Sequence, residues 1–345
     1  MITLHKATQE TRLLLKWGAI LFGIIIFIIL AIRIGGSLKE YFFPTPLPPP
    51  TVLFGKLPPI VFKEVPPLKK LIYSLNTLSG TLPKFPNQLP VYKLIQPEPS
   101  LFARDKAQEK VSQLGFSQQG IPLSETLYQW REENYPFRKL SLNILSYNFD
   151  LTSNFLSNSQ ILSPKQSPDK DKAIADSQSF LSTISDFTKD LDFEKTKSTL
   201  LTIQDSQLKE ATSLSEAKLT RIDFYQKSVN ELPVYYPHPP FSAINFLVSN
   251  ENIVEAHGWY HKIDPDSATY PIETAEEAFD FLKKGKASIV SYFGDDTKIS
   301  IKNVTLGYYL EDVNQDYAMP IIIFEGSNGF FAYVSAVSDE WIKSN

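Results

Sequence analysis

The sequence predicts an α+β protein built from an N-terminal transmembrane helix, a proline-rich linker and an ectodomain of repeated helix plus antiparallel-sheet modules. Three observations carry that expectation. An uninterrupted apolar run fills residues 17–32. Nine prolines fall between Pro44 and Pro67. Beyond them, three helical stretches rich in Ala and apolar pairs are each followed by strand-like sequence with apolar–polar alternation.

The bulk composition agrees. A chain of 345 residues has room for two domains at ~150 residues each. Its 24 Phe and 16 Tyr supply enough apolar volume for several cores. A net charge of −4 leaves no basic footprint for nucleic acid. Cysteine is absent, which excludes disulfides, thiolate nucleophiles, Cys-based zinc sites and a lipidated Cys anchor.

Residues 1–12 read as a short cytoplasmic tail and 13–34 as the transmembrane helix. Eleven of the sixteen residues in 17–32 are Ile, Leu or Phe, which together favour insertion by roughly 3–7 kcal/mol. A core helix would show a polar face, and this run has none. At ~1.5 Å per residue the span from 13 to 34 covers about 33 Å, enough to cross a bilayer. Lys16 and Arg33 flank it and can snorkel to opposite surfaces. Lys6, Arg12 and Lys16 outweigh Arg33 and Lys39, so the N-terminus is expected in the cytoplasm and the rest outside the cell membrane. The partners so implied are the lipid bilayer, through residues 13–34, and a protein at the membrane or envelope.

Residues 35–67 form the expected linker. Proline ends a helix because it lacks the donor and clashes with the preceding turn. A polyproline-like rod over 44–67 would reach roughly 75 Å at ~3.1 Å per residue. A cytoplasmic SH3 or WW partner fits less well with an outside location. The stretch "TVLFGKLPPIVF" is apolar enough to lie along the ectodomain as an edge strand instead. If the rod reading holds, residues after 67 fold by themselves.

The ectodomain divides into modules at 68–165, 170–265 and 266–345, with "SNSQILSPKQSPDKDK" (157–172) as the main boundary and "DPDSATYP" (264–271) as a second. Helices are expected over 103–116, 170–187 and 274–285. In the third, Thr274 and Glu277 form a capping box and Gly285 a stop. In "RKLSLNILSYNFDL" the apolar phase slips between Ile144 and Leu145, which suggests a bulge. "AINFLVS" and "NIVEAHGWYHKI" read as a hairpin about "NEN". "KISIKNVTLGYYLE", "YAMPIIIFE" and "FFAYVSAV" read as an antiparallel meander with "GSNG" as its last turn.

"TYPIETAEEAFDFLKKG", "VTLGYYLED" and "MPIIIFEGSNGFFAYVSAV" resemble the membrane-anchored YycH/YycI-type and PepSY-like extracytoplasmic proteins, over about residues 269–337. The resemblance implies small helix-plus-sheet modules outside a single transmembrane helix and regulation through protein contacts, often on a sensor kinase. It supplies no active-site residues, and the long proline segment departs from it.

Chemical motifs are sparse. Glu255, His257 and His261 in "EAHGWYH" could suggest a metal, but on a strand the two imidazoles stand about 13 Å apart, too far to share one ion. Asp312, Asn314 and Asp316 have the spacing that opens a calcium loop, yet Tyr317 and Ile323 stand where its Gly and Glu belong. His238 sits in a stiff proline loop. No metal ligand set, cofactor or catalytic residue is therefore assigned. Tyr308 and Tyr309, on opposite faces of one strand, are the candidate interaction aromatics. The chain reads as a non-catalytic binding, regulatory or scaffolding protein of the cell envelope. The alternatives are an envelope hydrolase with a dispersed site and a structural subunit of a membrane complex.

Overall fold

Capping chemistry fixes the clearest helix of the structure, a computed structural model that describes residues 15–18, 20–30, 33, 48–65, 69–133, 137–157, 167–250 and 252–344. Helix α3 (Ala275–Lys283) starts where Thr274 accepts from the Glu277 amide while Glu277 reaches back to Thr274. It stops before Gly285, whose φ of 72° suits glycine. Helix α2 (Lys170–Ile184) begins on Asp169, which accepts from the Asp171 and Lys172 amides. Helix α1 spans Ala103–Gln113. All three lie where the sequence places helices.

The chain forms two units, residues 1–49 and 50–345. In the first, residues 15–18 and 20–30 are helical and exposed, Lys16 among them. Among the described residues no helix is long and apolar enough to cross a membrane. The expected 13–34 span is thus not present as one continuous described helix, because positions 13, 14, 19, 31, 32 and 34 lie outside the described residues. The expected tail 1–12, linker positions 35–47, 66 and 67, and positions 158–166 of the expected main boundary also lie outside them.

Among its described residues the second unit holds seventeen strands in two sheets. An eight-stranded sheet has β15 (Lys298–Tyr309), β16 (Tyr317–Gly326) and β17 (Phe331–Ser335) as its antiparallel centre. This is the expected meander, turning at Asn328 and Gly329 with positive φ. β14 (Ser288–Ser291) borders β17. β1 (Ile72–Leu75) and β10 (Val234–Tyr235) pair parallel with opposite ends of β15. β2 (Gln88–Ile95) joins β16 to β13 (Lys262–Pro271).

The nine-stranded sheet is antiparallel throughout. It begins with β3 (Ile121–Pro122), β4 (Leu127–Arg131), β5 (Lys139–Asn143) and β6 (Phe149–Thr152). Next come β12 (Ile253–Gly258), β11 (Ile244–Val248) and β9 (Leu219–Gln226), then β7 (Leu191–Gln204) and β8 (Gln207–Glu210). β11 and β12 are the expected hairpin.

The sheets do not follow the expected module boundaries. Strands from 68–165 and 170–265 share the nine-stranded sheet, while β1, β2 and β10 belong with the C-terminal strands. The second expected boundary, 264–271, lies inside β13. Burial explains this: a short helix and two or three strands cannot close a core, so neighbouring segments merge into longer sheets.

The expected bulge in 138–151 is a turn. Asn143 Oδ1 accepts from the Leu145 and Ser146 amides, and the Tyr147 amide returns to the Asn143 carbonyl. This Asx chemistry ends β5 and reverses the chain into β6.

The linker reading is corrected most. Residues 50–65 are not a rod but a strap along the eight-stranded sheet. Leu57 is 0% exposed, pairs with Ile342, and packs with Val91, Tyr270 and Met319. Ile60 and Phe62 cover Tyr309, Ile321, Ile323 and Tyr333 on the face opposite α3. Val52 and Val65 donate to the carbonyls of Thr269 and Ile289. A solvated rod buries nothing; these side chains find an apolar face without another cover, and burial at about 1.5–3 kcal/mol per large side chain favours docking.

The nine-stranded sheet has unlike faces. One carries Leu140, Leu151, Phe224 and Phe246 against Val111 of α1 and Phe180 and Leu181 of α2. Along the other runs a polar row, one residue per strand: Lys197, Asp223, Asn245, His257, Asp150, Ser141 and Gln129, each opposite the next.

Candidate functional site

Two cavities flank the β15–β16 loop. The larger, about 620 Å³, is a groove reached by the β5–β6 turn, the loop after α2 and the β12–β13 connection. The smaller, about 320 Å³, sits at the polar row. Asp312 lines the smaller cavity and Asn314 the groove.

The groove is walled by rings. Phe187 stacks on Tyr260 with centroids 4.4 Å apart and planes 13° apart. Tyr260 donates to Asp190 at 2.6 Å. Burial, and then the Asp190 carboxylate, push its phenol far above the ordinary range, so it stays a donor. Tyr147 lines the groove from a left-handed position, φ 59°. A bulky residue in that region is an outlier, held here by the Asn143 turn. Lys110 lies 5.0 Å over its ring and pairs with Asp186 at 3.1 Å. Asn148 is 7% exposed; its Oδ1 accepts from the Tyr260 amide, while its side-chain nitrogen has no protein partner among the described residues.

His261 belongs to this groove. Its Nε2 lies 2.9 Å from the Glu311 carbonyl and 3.2 Å from Trp259 Nε1. One nitrogen cannot donate to the first and accept from the second; the shorter contact makes it the donor to Glu311. Burial lowers the imidazole pKa, so the ring is neutral in ordinary buffer.

In the smaller cavity His257 Nδ1 meets Asp150 Oδ1 at 2.5 Å. An Asp–His pair is two-thirds of a hydrolytic triad, so the nearby hydroxyl matters. Ser242 lines the same cavity, but its Oγ donates to the Phe224 carbonyl and accepts from the Ile244 amide. It holds the loop in place. His238 lines this cavity too, and burial followed by the Lys63 charge lowers its pKa. Arg221 grips Asp223 through Nε and Nη2 at 2.9 and 3.0 Å, and lies 4.2 Å over the Phe241 ring.

The structure separates the residues that the sequence grouped. His257 lies on β12 and lines the smaller cavity, whereas His261 lies in the β12–β13 connection, off the strand expected for it, and lines the groove. Asp312, Asn314 and Asp316 do not converge either. Asp312 binds Lys63 of the strap at 2.6 Å, and the Asp316 carbonyl accepts from the Leu94 amide. The loop is closed by Gln315, which accepts from the Glu311 amide and donates to the Tyr309 and Tyr317 carbonyls. Among the described residues, no three His, Asp or Glu are placed to hold a metal ion.

The interaction aromatics need correction. Tyr308 and Tyr309 do face opposite ways, but both are 0% exposed. Tyr308 packs on Tyr92 and donates to the Pro90 carbonyl, while Tyr309 lies under Phe62 of the strap. Each face of β15 has a cover that the sequence did not announce. Sequence reasoning also missed Tyr147, Asn148, Phe187 and Asp190. The phase slip at Ile144 was the visible signal for the first two.

No family model and no curated protein matches the chain. Among solved structures, an uncharacterized protein from Eubacterium rectale is similar over 75% of this chain and 86% of its own, with TM-score 0.43 and 12% identity. The YpeB C-terminal domain of Bacillus megaterium is similar over 73% of this chain and 97% of its own, with TM-score 0.33 and 11% identity. A YycH/YycI-type likeness is not shown.

Proposed function

We propose that the chain is a non-catalytic binding module displayed at the outer side of a cell membrane, which holds a short segment of a partner protein in the groove. The observation that supports it is the convergence of Tyr147, Phe187 and Tyr260 with the half-used Asn148 amide on one 620 Å³ space. A volume of about 300–1,000 Å³ is usual for a binding site, and here the three rings share the lining with charged residues such as Asp186, Lys189, Asp190 and Lys262. Rings on short, braced side chains bury area at little entropic cost.

A photo-crosslinking residue in place of Tyr147, introduced in intact cells, should yield one discrete protein adduct. The same residue at exposed Leu208 of β8 should not, and Asn148→Ala should reduce the Tyr147 adduct severalfold. Equal adducts from both positions, or indifference to Asn148→Ala, would overturn the groove as the site.

The membrane side of the proposal rests on the charge-free run at 17–32 between Lys16 and Arg33. Full-length chain should sediment with membranes after a high-salt and carbonate wash. External protease should leave an N-terminal tag intact and remove a C-terminal one. Release by carbonate would sink the anchor, and reversed protection would sink the orientation.

A further inference from the structure

The smaller cavity is independent of the groove and has its own chemistry. Three of its polar lining groups are held from behind by partners that do not line it: Arg221 by Asp223, His257 by Asp150, Asp312 by Lys63. Asp223 is the most deeply placed, its side chain 1% exposed, and it also accepts from the Ser242 amide. Such backing fixes the lining side chains before any ligand arrives, which lowers the cost of binding.

What remains unused on each group is specific. Arg221 spends Nε and Nη2 on Asp223, leaving Nη1 without a protein partner among the described residues. His257 has Nδ1 on a carboxylate; in its neutral form that nitrogen carries the proton, so Nε2 is an acceptor. Asn245 donates its amide to the Ser242 carbonyl, and its Oδ1 is unused among the described residues. Asp312 holds Lys63 through both carboxylate oxygens, at 2.6 and 2.7 Å, and has only the second lone pair of each left for a ligand. Beside the His238 ring, the cavity thus presents one cationic donor, Arg221, and three acceptors, one of them the Asp312 carboxylate paired with Lys63. Tyr236, Pro237, Phe241 and Ala243 add an apolar wall. A lone anion would meet Asp312, and a lone cation would meet Arg221. A metal is not served, since His238, His257 and Asp312 do not form a ligand cluster.

We propose that this cavity binds a small zwitterion of the amino-acid type, a free amino acid or a dipeptide, with its carboxylate on Arg221 and its ammonium on Asp312, His257 and Asn245. An ammonium has three N–H donors, matching the three acceptors. A volume of about 320 Å³ holds roughly ten waters at ~30 Å³ each, room for one such molecule with its side chain on the apolar wall. The bidentate Asp223 grip and the Phe241 shelf leave the guanidinium one orientation, as carboxylate recognition by Arg requires.

The test is calorimetric titration of the full-length chain in detergent. The probes are glycine, L-alanine, L-phenylalanine and L-alanyl-L-alanine, against sodium acetate, methylammonium chloride and inorganic phosphate. At least one zwitterion should bind, and acetate and methylammonium, each half of it, should bind about a hundredfold more weakly or not at all. Asp312→Asn and His257→Gln should each weaken the zwitterion about tenfold. His257→Gln keeps the test valid if Asp312→Asn, by losing Lys63, disturbs the fold. Three results overturn the proposal: no heat from any zwitterion at millimolar concentration, acetate or phosphate binding as tightly as the zwitterion, or a folded Asp312→Asn or His257→Gln chain that binds as wild type does.

Discussion

A chain that begins at residue 70 is expected to lose cooperative unfolding and to bind hydrophobic dyes, whereas one that begins at residue 50 keeps both properties of the full protein. The difference is the strap. Without it Tyr309, Ile321, Ile323 and Tyr333 face water on one side of the eight-stranded sheet, and Tyr270 and Met319 lose Leu57. A contiguous apolar face of that kind promotes association. A single substitution gives the same result in smaller form. Leu57→Ala empties a fully buried site and should cost about 2–5 kcal/mol in denaturant unfolding. A shortened chain that melts as sharply as the full one, with unchanged dye binding, would show the strap to be ornamental.

The second large effect concerns the polar row. Asp223→Ala leaves the part-exposed Arg221 without its partner and strips the acceptor from the Ser242 amide, around a carboxylate that is itself 1% exposed. Breaking a buried pair by removing one member costs about 3–5 kcal/mol, because the other charge stays behind. Replacing both at once, Arg221→Leu with Asp223→Leu, should cost less than Asp223→Ala alone, since no charge is then stranded. Equal or greater loss in the double variant would mean that the loop at 237–242, not the charge, sets the energy.

How far the sequence reaches is clear from particular residues. The Thr274–Glu277 box was legible because both bonds close within three residues. The separation of His257 from His261 has a different cause from the strand spacing that the sequence suggested, since His261 lies in the connection between β12 and β13. The alternation of Tyr308 and Tyr309 was legible too, but their burial was not, because the covers come from Tyr92 and Phe62, more than two hundred positions away. Chain distance also hid the polar row, in which Asp150 meets His257 across 107 positions. Prolines dominated the reading of 44–67. Yet Leu57, Ile60 and Phe62 were visible there as apolar residues with no solvent-facing reason, and the edge-strand alternative came nearer to the observed strap than the rod did. The two cavities were illegible for a different reason: each is walled by several loops whose meeting depends on which strands pair.

The strap also sets a timetable for synthesis. Lys63 and Asp312 are 249 positions apart in the chain. At about 5–20 residues per second, a ribosome needs roughly 12–50 s between making the first and making the second. For that whole interval the apolar strap exists with nothing to cover, and the eight-stranded sheet cannot close until its last strands emerge. The nine-stranded sheet is complete well earlier. The nascent protein therefore passes through a half-finished state whose unprotected segment is the strap, made long before the strands it covers.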